Sequence, residues 1–329
     1  MKSRMIMSRT PLRITFTGGG TDLQQYYSRG KNGAVISAAI NKYIYVAVNK
    51  KFDDLIRVSY SVTEIVDHID RIKHPSVREA LRLLNIDGGI EIVSISDIPS
   101  RGTGLGSSST FLVGLLNALH AYRGEHMSAR ELSEEAVKIE RNILREPGGK
   151  QDQYIAATGG IQMLEFMPDE SVQVNHVIMN ESARSALESW ILMFYTGKER
   201  SSTEIHRKQS AGIEEKISGY DRMRELTYEA LKAISDADMI RLGECLHENW
   251  NIKKSLSDGI SDPWIDSLYS RAMEMGAVGG KIIGAGGGGF LMLLAPPETH
   301  PEIISDFREL RQEPFRFDYT GSKIVFIGD

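Results

Sequence analysis

A chain of 329 residues, 41% hydrophobic and 25% charged, is long enough for two domains with substantial cores and has an ordinary globular-enzyme makeup. Its formal net charge of −5 argues against a protein held to nucleic acid by phosphate attraction, though not against a local basic pocket. A single cysteine, Cys245, excludes an intrachain disulfide and fits a reducing cytoplasm.

The segment Met1–Met7 is basic but has no long apolar run behind it, so no signal peptide is expected. Residues 11–17 alternate and predict a strand. Two strand signals follow between Gly33 and Lys50. Residues 56–60 and 90–95 predict further strands, with a helix over 75–84 between them. Phe111, Leu112, Leu115, Leu116 and Leu119 recur at helical spacing and predict a helix from about Ser108 to Tyr122. Ser128 and Glu131 form a capping box opening a helix with Leu132, Ala136, Ile139 and Ile143 on one face. Arg145-Glu146-Pro147-Gly148-Gly149 breaks it. Strands are predicted near 161–167, 172–179 and 191–195. From Ser201 to about Gly276 the pattern is helical and charged; strands return at 279–284, 290–295, 314–319 and 323–327, with a helix near 299–311. The apolar stretches near 111–121 and 282–297 are too short or too glycine-rich to span a bilayer, so no membrane partner is expected. The order suits an α+β fold of two domains, 1–185 and 186–329, better than regular βα alternation.

Three glycine-centred motifs carry the chemistry. The central one runs from Pro99 through Gly102, Gly104, Leu105 and Gly106 into Ser107, Ser108, Ser109 and Thr110, directly ahead of the predicted helix. Glycines let a backbone fold closely around a ligand, and the first helical turn offers unpaired N–H groups that suit phosphate. The serines can cap the helix, donate to phosphate or bind magnesium. An ordinary capped helix after a flexible loop is the competing reading. The first motif is Arg13-Ile14-Thr15-Phe16-Thr17-Gly18-Gly19-Gly20-Thr21-Asp22, and the third is Gly284-Ala285-Gly286-Gly287-Gly288-Gly289-Phe290. The third satisfies a dinucleotide-binding pattern literally, but a predicted strand follows it where a helix would be needed. No lysine stands in a Walker-type loop: Gln151, Glu199 and Ile282 follow Lys150, Lys198 and Lys281.

Three such motifs in this order resemble the GHMP family of small-molecule kinases across nearly the whole chain. The resemblance implies an N-terminal ribosomal-protein-like domain and a C-terminal ferredoxin-like domain, with the site between them. It also implies ATP and Mg2+ as cofactors, with the central loop of Gly102, Gly104, Leu105, Gly106, Ser107, Ser108 and Ser109 holding ATP. Gly286, Gly287 and Gly288 are expected to form an active-site glycine loop.

The resemblance gives residues their roles one by one. Asp152, in Gly148-Gly149-Lys150-Gln151-Asp152-Gln153, matches the family's catalytic aspartate and would accept or orient the proton of the attacking hydroxyl; by itself it also reads as a helix N-cap. Glu140 and Ser108 match the magnesium-binding acid and hydroxyl, although by spacing Glu140 also reads as one of several surface acids. Arg13 matches a basic residue of the first motif, and would stabilise transferred-phosphate charge or ionised Asp152, or form a structural ion pair. It stays charged and so cannot take the proton. The glycine triplet with Thr21 and Asp22 resembles the sugar branch, notably bacterial heptose 7-phosphate kinases and the kinase part of fucokinases. There Gly19, Gly20, Thr21 and Asp22 would hold sugar hydroxyls, which a carboxylate accepts in pairs; an Asx-capped glycine turn is the alternative. Lys198 and Arg200 would grip the distal phosphate of a sugar phosphate, or form a solvated loop. The expected partner is therefore a small-molecule sugar or sugar phosphate, and a homodimer is left open.

Overall fold

The computed structural model describes residues 5–99, 102–198 and 202–328. The first sheet is built on β1 (Ile6–Thr17) and β2 (Gly33–Lys50), antiparallel from Ile6 opposite Val48 to Thr17 opposite Ile36. The short α1 (Gln24–Tyr27) lies between them in the chain. The two strand signals in 33–50 belong to one strand. Asn41 and Lys42 between them bulge opposite the Pro11–Leu12 step, where proline has no N–H to give the ladder. The first half of β2 is buried on both faces: Ala34, Ile36 and Ala38 enter one core and Val35 the other.

The sheet continues through β3 (Ile56–Ser59), β4 (Thr63–Val66) and, after α2 (Pro75–Leu83), β5 (Ile90–Ser96). Its main order, β12-β1-β2-β5-β3-β4, ends on the C-terminal strand described below. The inner layer is α3 (Ser107–Arg123), α4 (Ala129–Val137) and α5 (Gln151–Thr158). The Ser128–Glu131 capping box opens α4 as expected. Leu112, Leu115, Leu116 and Leu119 of α3 are fully buried, each such side chain adding about 1.5–3 kcal/mol. β6 (Ile161–Phe166) pairs with the first half of β2, and β7 (Val172–His176) pairs with β6.

The second half opens with α6 (Glu181–Trp190), which periodicity alone did not reveal, feeding straight into β8 (Ile191–Tyr195). Then come α7 (Ser202–Gly212), α8 (Ile217–Ser235), α9 (Met239–Leu256) and α10 (Pro263–Glu274). β9 (Gly279–Ile282), β10 (Phe290–Leu294), α11 (His300–Asp306), β11 (Arg311–Gln312) and β12 (Lys323–Ile327) complete the chain. The second sheet, β11-β8-β10-β9, is separate from the first. The strand expected at 314–319 does not form. Phe317 makes one isolated bridge to Ile40, and the Asp318 carboxylate turns the chain by accepting from the N–H groups of Thr320 and Gly321. β12 then returns to the edge of β1. Among the described residues, no helix is long and apolar enough to cross a membrane.

Candidate active site

The loop before α3 and the loop before β10 meet backbone to backbone. A Cβ on Gly104 would stand 2.3 Å from the Ile283 carbonyl oxygen, and one on Gly289 would stand 2.4 Å from that of Thr103. Only glycine allows this approach, and it brings the two halves of the chain together around one cleft of about 970 Å³. Gly102, Gly104, Gly106, Ser107, Ser108 and Ser109 line the cleft on one side, and Gly286 and Gly288 on the other. Gly287 instead turns its N–H to the Ile260 carbonyl at 2.7 Å. Leu105 is buried, and its carbonyl accepts from the Arg13 N–H at 3.1 Å.

Gly106 is the N-cap of α3 and offers no side chain. The serines do not cap the helix. Ser109 donates to Glu140 at 2.8 Å and Ser108 to the other carboxylate oxygen at 3.4 Å. The first-turn N–H groups are therefore left uncapped by any side chain on residues that line the cleft, the arrangement that favours anions.

Glu140 is buried, not a surface acid. Residues Lys138–Ile143 form a π-helical turn, with the Leu144 N–H bonded to the Ile139 carbonyl at 2.9 Å. This wider turn winds less per residue than an α-helix. It carries Glu140 toward the buried stripe and Ile143 off it, and Ile143 is 43% exposed where periodicity predicts burial. Burial pushes the Glu140 carboxyl up, against the opposing pull of Arg141, Ser109 and Gln153.

Asp152 lies in the first turn of α5, behind Lys150 at the N-cap, so it does not cap the helix. Arg13 grips it bidentately, Nε to one oxygen at 2.7 Å and Nη2 to the other at 2.8 Å, and gives Nη1 to the Gly104 carbonyl. Burial works against its ionisation, but the charge and hydrogen bonds of Arg13, helped by Arg141 and His206, hold the carboxyl below its ordinary value. Asp152 and Arg13 line both the large cleft and a small polar pocket of about 50 Å³ that opens off it.

Gly19, Gly20 and Asp22 line that small pocket, with Gly149 and Gln151 opposite. A Cβ on Gly149 would stand 1.8 Å from an Asp22 oxygen, so glycine there makes room for the carboxylate. Asp22 accepts from the Gly20 N–H at 3.0 Å and from Gln151 Nε2 at 3.0 Å. One oxygen thus serves the glycine turn and the other is held by Gln151, at the wall of the pocket.

Two of the expected acceptor residues are placed elsewhere. Thr21 is fully buried and spends its hydroxyl on the carbonyls of Gly18 and Ala34 at 2.8 Å each. Lys198 reaches Asp262 at 2.6 Å, lies over the Trp264 ring, and lines neither cavity. A neighbouring carboxylate and an aromatic face are a better seat for its ammonium than an empty pocket. Arg200 lies outside the described residues. The pocket adds residues that motif reading missed: Arg141, His206, Gln209, Lys253 and Lys281. They come from four elements spread over the chain, and no local spacing links them. Among the described residues, His206 Nδ1 and Gln209 Nε2 are buried without a hydrogen-bond partner. Burial lowers the His206 pKa to about 4, so the ring is neutral near pH 7.

Two α+β domains, a glycine loop running into an uncapped helix, and a clamped carboxylate at the junction of two cavities describe a small-molecule phosphotransferase. Comparison with known proteins agrees. Residues 62–160 match the GHMP kinases N terminal domain and residues 229–310 the GHMP kinases C terminal domain, together more than half of the chain. A D-glycero-alpha-D-manno-heptose 7-phosphate kinase from Campylobacter jejuni is 29% identical over 96% of this chain and 97% of its own length. An L-fucokinase/L-fucose-1-P guanylyltransferase from Bacteroides fragilis is 24% identical over 89% of this chain, which spans 35% of that larger protein. The crystal structure of a D-glycero-D-manno-heptose 1-phosphate kinase from Bacteroides thetaiotaomicron superposes with a TM-score of 0.81 at 24% identity, covering 98% and 100% of the two chains. Lactococcus lactis galactokinase complexed with galactose gives 0.72 at 17% identity, covering 98% and 95%. The chain belongs to the GHMP kinase family and is a phosphotransferase with an alcohol group as acceptor.

GHMP kinases use ATP and Mg2+. The donor set fits both. Ser108 and Glu140 place oxygen atoms of the hard kind that magnesium takes at the edge of the large cleft. Among the described residues, no cluster of three or more His, Cys, Asp or Glu could hold a metal by itself. That suits magnesium, which keeps waters and takes phosphate oxygens rather than a full protein cage.

Proposed function

We propose that this protein phosphorylates the anomeric hydroxyl of D-glycero-D-manno-heptose 7-phosphate, giving the 1,7-bisphosphate. The observation that carries a polyol acceptor is the small pocket beside Asp152. It sets the Asp22 carboxylate beside two buried polar atoms that lack partners among the described residues, His206 Nδ1 and Gln209 Nε2. Sugar hydroxyls both donate and accept, and would satisfy both atoms while using the lone pairs that Gly20 and Gln151 leave on Asp22. The heptose choice draws further support from the Campylobacter jejuni relative.

In this reading the loop 102–106 and the start of α3 hold the ATP phosphates. Magnesium, seated by Ser108 and Glu140, would supply charge neutralisation on those phosphates. Asp152 orients the sugar hydroxyl toward the cleft and takes its proton as the sugar oxygen bonds to the terminal phosphorus and the bond from that phosphorus to the ADP oxygen breaks. Its low pKa makes it a weak base in the ground state. That suits a loose transition state, in which the hydroxyl becomes acidic only late. Arg13 holds Asp152 ionised and lies against the transferred group. The division at residues 185/186 belongs to the same proposal, with the qualification that β12 completes the first sheet from the far end of the chain.

A panel of acceptors with ATP consumption as readout tests this. Heptose 7-phosphate is expected to exceed fucose, galactose and mevalonate in kcat/KM. Preference for mevalonate would overturn the sugar reading, and preference for an unphosphorylated sugar would overturn only the heptose phosphate choice.

A further inference from the structure

We propose that Lys281 and Lys253 form the seat for an anionic group carried by the acceptor itself, a phosphate monoester, in the small pocket beside Asp152. The assignment rests on the phosphotransferase reading of the site and deepens it.

The pocket holds an excess of positive charge. Arg13, Arg141, Lys253 and Lys281 line it against Asp22 and Asp152. The two arginines are committed. Arg13 clamps Asp152, and Arg141 spends Nε on the Gly149 carbonyl and Nη1 on that of Glu146, each at 2.9 Å. Asp22 is committed to Gly20 and Gln151.

What remains is two ammonium groups from the second half of the chain, on α9 and β9. Lys253 is 3% exposed and Lys281 is 0% exposed. Among the described residues, Lys253 donates to the Gly284 carbonyl at 2.6 Å and Lys281 to the Phe16 carbonyl at 3.3 Å. An ammonium has three donors, and lysine is almost never fully buried without a charged partner. Burial lowers the Lys253 pKa to about 8, against the pull of Asp22. Burial likewise pushes Lys281 well down, reinforced by repulsion from Lys253 and Arg13. The other titratable groups facing them are Asp152 and His206, and His206 is neutral at pH 7.

Two like charges side by side in a dry pocket are unfavourable by themselves. A phosphate dianion reverses the balance, supplying two negative charges and several acceptor oxygens at once. The nucleotide phosphates do not fill this role, because neither lysine lines the large cleft where the glycine loops lie. Lys198, which motif reading offered with Arg200 for a distal phosphate, is occupied by Asp262. The phosphate-holding role therefore moves from the loop after β8 to the lysines of α9 and β9.

The test is calorimetric titration of the ATP-free protein with inorganic phosphate, in two buffers of different ionisation enthalpy, for wild type, Lys253→Met and Lys281→Met. Wild type is expected to bind phosphate with net proton uptake, since the anion favours the charged form of Lys281, which burial and its cationic neighbours push down. Each variant should lose about 10²-fold or more in phosphate affinity, as for a buried charge pair that loses one partner. Removing a buried charge by a side chain of similar length should leave thermal stability at or above wild type. ATP affinity is titrated in parallel. In turnover, the ratio of kcat/KM for heptose 7-phosphate over unphosphorylated heptose should collapse in both variants. Equal phosphate affinity in all three proteins overturns the assignment. So does a loss of ATP affinity in step with phosphate, which would give the lysines to the nucleotide. If wild type prefers the unphosphorylated heptose, the acceptor reading fails instead, and the phosphate titration still decides the role of the lysines.

Discussion

Arg13 gives three of its donors to Asp152 and Gly104 and so fixes the position of the carboxylate between the two cavities. Asp152→Asn keeps the shape but removes the charge that accepts the proton. We expect kcat to fall by about 10²–10⁴-fold while ATP still binds. The same change leaves Arg13 buried without its counter-charge, so thermal stability should also drop. Circular dichroism and ATP titration on the folded variant separate the two effects, and a near-normal kcat would remove Asp152 from the mechanism. Lys253 gives a second residue-level expectation. Its folded pKa of about 8 lies below the ordinary lysine value of 10.5. Between those two values the unfolded chain binds the extra proton, so this group makes stability rise with pH across that window. Binding of a phosphorylated acceptor runs the other way, since it needs the charged ammonium. The kcat/KM for the sugar phosphate should therefore fall above a pH of about 8, while that for an unphosphorylated sugar changes less. A flat profile for both would show that Lys253 does not face the acceptor's anion.

Among the elements, the π turn at Lys138–Ile143 does most to shape the site, because it brings Glu140 under the start of α3. Glu140→Gln and Ser108→Ala are both expected to raise the magnesium concentration needed for half-maximal turnover, measured at fixed ATP. For Glu140 the stability sign is also fixed. Burial raises its folded pKa, so its contribution is full below the unfolded carboxyl value and is lost as pH rises through the folded one. Glu140→Gln should flatten that slope and cost little stability at neutral pH. Unchanged metal dependence in both variants would place the metal elsewhere. This element also shows where sequence reading stops. The glycine–serine loop, the capping box at Ser128 and the helix at α3 were legible because each rests on contiguous residues with a local cause. Asp152, Arg13, Ser108 and Glu140 were legible as motif members, and the fold brings all four to the rim of one cleft. The burial of Glu140 was not, because an α-helical period assigns it to the outside and nothing local announces a π turn. Lys253 and Lys281 were likewise invisible. One sits in a charged helix and the other in a short strand, and only the tertiary fold sets them beside Asp22.

At the scale of the whole molecule, the two halves share a hydrophobic core, and at the cleft itself their loops meet through bare backbone. Gly104 lies against Ile283 and Gly284, and Gly289 against Thr103 and Gly102. A residue with a Cβ at these positions could not let the loop before α3 come so close to the loop before β10. The contact is therefore expected to couple folding of the seam to nucleotide binding. Gly289→Ala tests it. The residue has φ of +86°, and its new Cβ would lie 2.4 Å from the Thr103 carbonyl oxygen and 3.0 Å from that of Gly102. Left-handed backbone costs an alanine about 1–2 kcal/mol before any clash is counted. Neither carbonyl can yield without moving the loop that feeds α3. The variant should melt at a lower temperature and bind ATP more weakly, with the loss of affinity exceeding what a simple fall in folded fraction predicts. Gly212→Ala is the control. That residue closes α7 with nothing within 4 Å of the added Cβ, so its melting temperature should stay level or rise slightly. Equal behaviour of the two variants would mean that the glycine seam does not couple the halves. A melting loss in Gly289→Ala with ATP affinity intact would confine its role to folding.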